Sequence, residues 1–185
     1  MPSTVEKLYS GALFSLITEE KGDTSPVLQE TETELSAVAE IIEQNPAFSR
    51  TLNAPTLAAD EKLAAIDNVF KGRVGDYTYN LLRVMTSKGR LSYLPRTARA
   101  FKSLCNERLG IAEVVVSSRY ALTAEQKSRL VAKLAAVIGK EIRLKERVDT
   151  SLIGGIVVDY GTTRFDGSVK TRLETLRQTI AGTIA

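Results

Sequence analysis

The sequence predicts an α+β protein, an N-terminal six-helix bundle over residues 1–107 followed by a small C-terminal α/β domain over residues 108–185. Three observations carry this. Up to residue 107 the apolar side chains recur at helical spacing, and no alternating run interrupts them. From Ala112 onward the period drops to two, with Ala112, Val114 and Val116 alternating with Glu113, Val115 and Ser117. The run Ile156-Val157-Val158 is β-branched and lies between Gly154-Gly155 and Gly161, which reads as a buried strand bounded by turns.

The helices follow in order. Ser3 and Glu6 have the spacing of a capping box, and Val5, Leu8, Tyr9, Ala12, Leu13, Leu16 and Ile17 mark one face of the first helix. Phe14 falls off that stripe and gives the helix a second apolar edge. Gly22 to Pro26 breaks it. A second helix from Pro26 turns Leu28, Leu35, Val38, Ala39 and Ile42 inward and stops before Asn45-Pro46, because the residue before proline avoids the α region. Pro46 to Leu52 is a short helical piece, and Asn53-Ala54-Pro55-Thr56 punctuates again. Leu57, Leu63, Ile66 and Phe70 mark a fourth helix. Gly72 to Asp76 is a turn with Asp76 as cap. Tyr77, Leu81, Val84 and Met85 form one face of a fifth helix that Gly89 closes, and Leu91, Leu94, Ala98, Phe101 and Cys105 make a sixth, ending at Gly110.

In the second half, Thr123 caps a helix with Gln126 completing the box, and Leu130, Val131, Leu134 and Ile138 face inward ahead of Gly139 as C-cap. Ile142, Leu144 and Val148 alternate with Arg143, Lys145 and Arg147 in a strand with one basic, wet face. Asp149-Thr150-Ser151 is turn chemistry, since short side-chain oxygens accept from nearby backbone N–H groups. Ile156 to Val158 and the residues after Gly161 make a hairpin, and Ser168 caps the last helix. That helix carries one apolar stripe of Val169, Leu173, Leu176, Ile180 and Ile184. Val169 and Leu173 are expected to pack on the sheet, and Leu176 to Ile184 to be available to a partner helix.

Composition excludes several functions. There is no histidine among the 185 residues and a single cysteine, Cys105. Ser-His-Asp and Cys-His catalysis, His-ligated metals, intrachain disulfides and multi-thiolate sites are therefore ruled out. The glycines form neither G-x-G-x-x-G nor G-x-x-x-x-G-K-[ST], so no nucleotide loop is expected. Asp149, Asp159 and Asp166 are read as structural, two of them lying at turns. No catalytic residue, cofactor or metal is predicted, and the chain is not expected to be an enzyme by itself. No signal-peptide layout and no apolar run of about 18 residues is present. A bacterial cytoplasmic protein fits, as does a processed organellar chain.

Charge divides unevenly. Residues 1–70 hold 4 Lys/Arg against 12 Asp/Glu, whereas residues 71–185 hold 21 against 10. Such a bipolar chain suits two surfaces with different partners. The basic half also admits an RNA-binding module, but residues 121–147 contain no aromatic side chain on which a base would stack. A small hydrolase or transferase is a third reading, and it requires a pocket with a perturbed carboxylate.

Several motifs in sequence carry a family resemblance. Tyr9-Ser10-Gly11-Ala12-Leu13-Phe14, Asn45-Pro46-Ala47-Phe48, Leu52-Asn53-Ala54-Pro55, Asn80 to Met85, Gly89-Arg90-Leu91, Leu94-Pro95, Leu122-Thr123 and Val148 to Ser168 occur in the order and spacing of the delta subunits of F-type ATP synthases, the oligomycin-sensitivity-conferring protein family. The likeness covers the whole chain. Thr150 and Thr162 depart from it, standing where many members have proline and an acidic residue. The resemblance implies a non-catalytic stator subunit, one copy per complex, at the cytoplasmic face of the bacterial cell membrane. It implies that the helical domain holds the N-terminal helix of an alpha subunit through Tyr9, Ala12, Leu81, Val84 and Met85. It also implies that the C-terminal domain engages the b subunits of the peripheral stalk, with Leu176, Ile180 and Ile184 as the contacts. No nucleic acid and no small-molecule substrate are implied.

Overall fold

The structure is a computed structural model that describes residues 4–20, 25–53 and 58–183. The expected Ser3 cap, the first residue of the fourth apolar stripe (Leu57), the 54–56 punctuation and Ile184 lie outside these residues. The described residues give a mixed structure of eight α-helices and one four-stranded sheet, in two compact units, residues 1–109 and 110–185. The boundary falls where α6 ends, at Leu109, two residues beyond the expected division.

The first unit contains α1 (Thr4–Glu20), α2 (Ser25–Gln44), α3 (Pro46–Asn53), α4 (Ala59–Phe70), α5 (Asp76–Ser87), a single 3-10 turn (Leu91–Tyr93) and α6 (Leu94–Leu109). Leu28, Leu35, Val38, Ala39 and Ile42 of α2 are all buried, as their spacing requires. Leu91, Leu94, Ala98, Phe101 and Cys105 are buried against them. Cys105 is sealed in this core, and burial pushes its thiol up to about 12.

Two elements differ from the expected pattern. The buried face of α1 is Glu6, Ser10, Leu13 and Ile17, while Leu8 and Leu16 are exposed and Phe14 packs against the core. Glu6 is held inward by Arg96 of α6, 3.5 Å away, and Ser10 Oγ donates to the Glu6 carbonyl at 2.8 Å. The cap of α5 is Gly75, not Asp76, which is the first helical residue. The capping carboxylate comes from another helix. Glu34 of α2 accepts the Gly75 N–H at 2.9 Å and the Thr78 hydroxyl at 2.7 Å. Orphan donors at a helix start are usually met by a local side chain; here a long-range carboxylate does it and ties α5 to α2.

The second unit contains β1 (Ile111–Ser118), α7 (Ala124–Ile138), β2 (Glu141–Val148), β3 (Ile156–Tyr160), β4 (Thr163–Asp166) and α8 (Val169–Thr183). The strand order is β2-β1-β3-β4, with β1 parallel to β2 and antiparallel to β3. Parallel strands need a crossover, which α7 supplies. Thr123 and Gln126 form the capping box, and Gly139 closes α7 at φ +71. Register places Ala112 beside Ile142 and Val116 beside Val158, so these share the sheet face that α7 packs on. The 149–155 turn is fastened from several sides: Asp149 Oδ1 accepts from the Ser151 N–H and hydroxyl, and Arg119 donates to the Thr150 and Leu152 carbonyls. Gly155 has φ +82, and a Cβ there would lie 2.4 Å from the Gly167 carbonyl oxygen. Only glycine lets the two loops approach so closely.

The last helix departs from expectation. Ser168 does cap it, its hydroxyl accepting from the Thr171 N–H at 3.2 Å. Leu173, however, is 57% exposed, whereas Val169 is mostly covered, with Cγ2 beside Gly154. Helix α7 lies over β1 and β2.

Candidate partner-binding surfaces

The inward face of α1 is set by Leu13 and Ile17, which leaves Leu8, Ala12 and Leu16 at i, i+4 and i+8 on an outward stripe. On α5 the inward face is Thr78, Leu82, Met85 and Thr86, with Leu81 buried at its edge. Tyr77, Asn80, Leu81 and Val84 fall one step round the helix, towards α1. Arg90, just past the end of α5, donates to the Tyr9 hydroxyl near the start of α1 at 3.4 Å. The two helices therefore run antiparallel, and their leftover apolar flanks line a groove of about 500 Å³. Leu8 is 62% and Val84 49% exposed. Among the described residues, the only polar side chains lining the groove are the Tyr9 and Tyr77 phenols and the Asn80 amide.

Of the five residues expected to grip a helix here, Tyr9, Ala12, Leu81 and Val84 line this groove together. Met85 does not. Its side chain is fully buried among the core residues, so it supports the groove from beneath and presents nothing to a partner. Val84 and Met85 are both apolar and adjacent, and spacing alone does not say which one turns outward. Leu8, Leu16 and Tyr77 were not among the expected contacts. The first two were assigned to the core because their stripe is as regular as the buried one.

At the other end of the chain, Leu176 is 59% exposed on α8. Ile180 lies in the final turns of α8. Asp149, Asp159 and Asp166 are each engaged by local partners. Hydrogen bonds from Ser151 hold the Asp149 carboxyl below the usual carboxylate range, and the Ser168 N–H does the same for Asp166. Arg164 lies 3.8 Å from Asp159. Among the described residues no group of three His, Cys, Asp or Glu could hold a metal ion, and no helix is long and apolar enough to cross a membrane.

What remains is the exposed apolar surface of the α1–α5 groove. The family model described as ATP synthase delta (OSCP) subunit matches residues 5–180. The chain belongs to that family. Among curated relatives, the ATP synthase subunit delta of Brevibacillus brevis is 34% identical over 178 residues, covering 96% of this chain and 99% of its own. That of Shouchella clausii is 37% identical over 180 residues, covering 96% and 97%. The fold is shared with a chain of the Toxoplasma gondii mitochondrial ATP synthase hexamer, at a TM-score of 0.67 and 24% identity over 97% of this chain and 98% of that one. Membership makes this protein a subunit of an F-type ATP synthase, in which ATP synthesis and ion transport are properties of the whole complex.

Proposed function

We propose that the chain is a non-catalytic stator part, joining the alpha/beta catalytic head to the b-subunit peripheral stalk at the cytoplasmic face of the membrane so that ion-driven rotation is coupled to ATP synthesis. The observation that carries this reading is the α1–α5 groove. Its apolar lining on an otherwise closed core is what an amphipathic helix needs, with anchors at i, i+3, i+4 and i+7. The occupant is the N-terminal helix of one alpha subunit, and Tyr9, Ala12, Leu81 and Val84 contact it, with Leu8 and Leu16 added to the set. The sheet unit takes the b subunits, through α8 residues that include Leu176 and Ile180, in one copy per complex. A stator needs durable contact and no chemistry, and a histidine-free chain whose aspartates shape turns is suited to that.

Titration calorimetry with a synthetic peptide of the alpha subunit's N-terminal segment tests the head contact. Tyr9→Ala should weaken binding by about 1–3 kcal/mol, the range of an interface anchor. Val84→Glu should weaken it at least as much, because a carboxylate would be desolvated against leucines. Unchanged affinity in both variants would sink the assignment of this groove.

A further inference from the structure

The two ends of the α1–α5 groove differ in charge. Among the described residues no charged side chain lines the groove itself, so its charges sit where the two walls run out. On α1 the wall passes through Leu8, Ala12 and Leu16, and Glu19 comes next on that line. Eleven residues at about 100° each make three turns and about 20°, so Glu19 stands nearly in line with Leu8, about 17 Å along the helix. On α5 the same count runs from Tyr77 through Val84 to Lys88. Lys88 still donates its N–H to the Val84 carbonyl at 3.2 Å, so it continues the helical path. Because the walls are antiparallel, the two extensions leave the groove at opposite ends. Glu19 closes the end formed by Leu16 and Tyr77. Lys88 closes the end formed by Leu8 and Val84, together with Arg90, whose guanidinium reaches the Tyr9 hydroxyl there at 3.4 Å.

Glu19, Lys88 and Arg90 are all exposed, and neither Glu19 nor Lys88 has an ion pair among the described residues. The outermost turns add to the same signs. Lys7 of α1 is exposed at the basic end, and Asp76, the first residue of α5, is exposed at the acidic end. Arg83, midway along α5, lies 3.7 Å from Asp67 of α4 and is turned away from the groove. We infer that the groove is directional: it takes a helix with acidic side chains at one end and basic side chains at the other, and seats it with the acidic end against Lys88 and Arg90 and the basic end against Glu19. The apolar lining supplies affinity but not direction, since leucine and valine contacts serve a helix lying either way. A reversed guest sets like charges together at both ends, and that repulsion rejects it. The two guest charges stand about eleven residues apart, flanking the apolar stripe, because the groove is three turns long. This inference rests on the head contact proposed above and deepens it: the alpha subunit's N-terminal helix is bipolar and lies in one direction only.

The test is calorimetry of the full chain with a synthetic peptide of the alpha subunit's N-terminal segment, at low and at high salt. Lys88→Glu and Glu19→Lys should each weaken binding about two- to five-fold at low salt, the range of exposed ion pairs. The loss should shrink at high salt, where such charges are screened. Both side chains are exposed, so neither change disturbs the core. Direction is read separately by paramagnetic broadening. A nitroxide on the acidic end of the peptide should broaden the amide signals of Leu8 and Lys88 more than those of Leu16 and Tyr77, and a nitroxide on the basic end should do the reverse. Wild-type affinity in either variant at low salt, or stronger broadening of Leu16 by the acidic-end label, would overturn the directional seat. With Val84→Glu still weakening the complex, the groove assignment would survive that result. Failure of the wild-type chain to bind the peptide at all would overturn both.

Discussion

The two units close their cores to different degrees. In the helical unit, α2, α5 and α6 each contribute several fully buried side chains, and Phe101, Leu82 and Leu35 have no exposure at all. In the sheet unit, α7 contributes none that is fully buried, although Leu130, Val131, Leu134 and Ile138 all touch the sheet core. Apolar surface is left over in both, for different reasons. The α1–α5 groove lies on the outside of a finished core, with the buried Leu13 and Leu81 as its floor and exposed Leu8, Leu16 and Val84 at its sides. The hollow beside α7, lined by Leu134, Val137, Val158 and Phe165, is part of the sheet face that α7 leaves uncovered.

This difference has an energetic consequence. Phe101→Ala should cost the helical unit about 3–5 kcal/mol, the transfer of a large ring plus the cavity left in a rigid surrounding. Leu134→Ala in the sheet unit should cost only about 1–2 kcal/mol, because the side chain is half-buried beside an open hollow. Native-state amide exchange resolves the two, since each unit reports through its own backbone. If Leu134→Ala costs as much as Phe101→Ala, the sheet core is as closed as the helical one and the contrast fails.

A second substitution probes the sheet unit where it is tightest. Gly155→Ala places a methyl 2.4 Å from the Gly167 carbonyl oxygen and 2.9 Å from the Ser168 Cα, at φ +82. Both neighbours are backbone, so neither moves without shifting the start of α8. A destabilisation of about 1–3 kcal/mol is expected from the strained conformation alone, confined to β3, β4 and the first turn of α8 in an exchange experiment. Gly161→Ala, with φ +57 and nothing near its Cβ, should cost less. Equal effects would show that conformation rather than close approach decides both.

What was legible in the sequence is what depends on near neighbours. The α2 stripe, the Thr123–Gln126 box, Gly139 and the hairpin after Gly161 all stand where spacing and turn chemistry put them, because each is settled within a few residues. The misplaced features involve distant partners. Glu6 is buried because Arg96 comes from α6 to meet it, and Asp76 is displaced as a cap because Glu34 reaches Gly75 from α2. Neither pairing has a local signature. Part of the groove was legible, since Tyr9, Ala12, Leu81 and Val84 were found, but Val84 and Met85 were not separable by pattern. The hollow beside α7 was not legible, because it requires knowing that Phe165 of β4 and Val137 of α7 end up on the same sheet face.

The smallest effect expected is in acid, and it too separates the units. Among the described residues, the carboxyls held below their usual range all belong to the sheet unit: Asp149 by Ser151, Asp166 by the Ser168 N–H, and Glu146 chiefly by Lys127 and then by the Leu122 N–H. Glu146 is the staple between β2 and the start of α7, with Lys127 Nζ 2.7 Å away. A carboxyl depressed in the folded state contributes stability that is fully present above its unfolded value of about 4, and loses it as pH falls through the folded value. The sheet unit should therefore weaken below about pH 4, with exchange protection in β2 and α7 declining before that in α2 and α6. Glu146→Gln should flatten this decline, because the amide still accepts from Leu122 but no longer titrates. The prediction fails if α2 and α6 lose protection first on acidification.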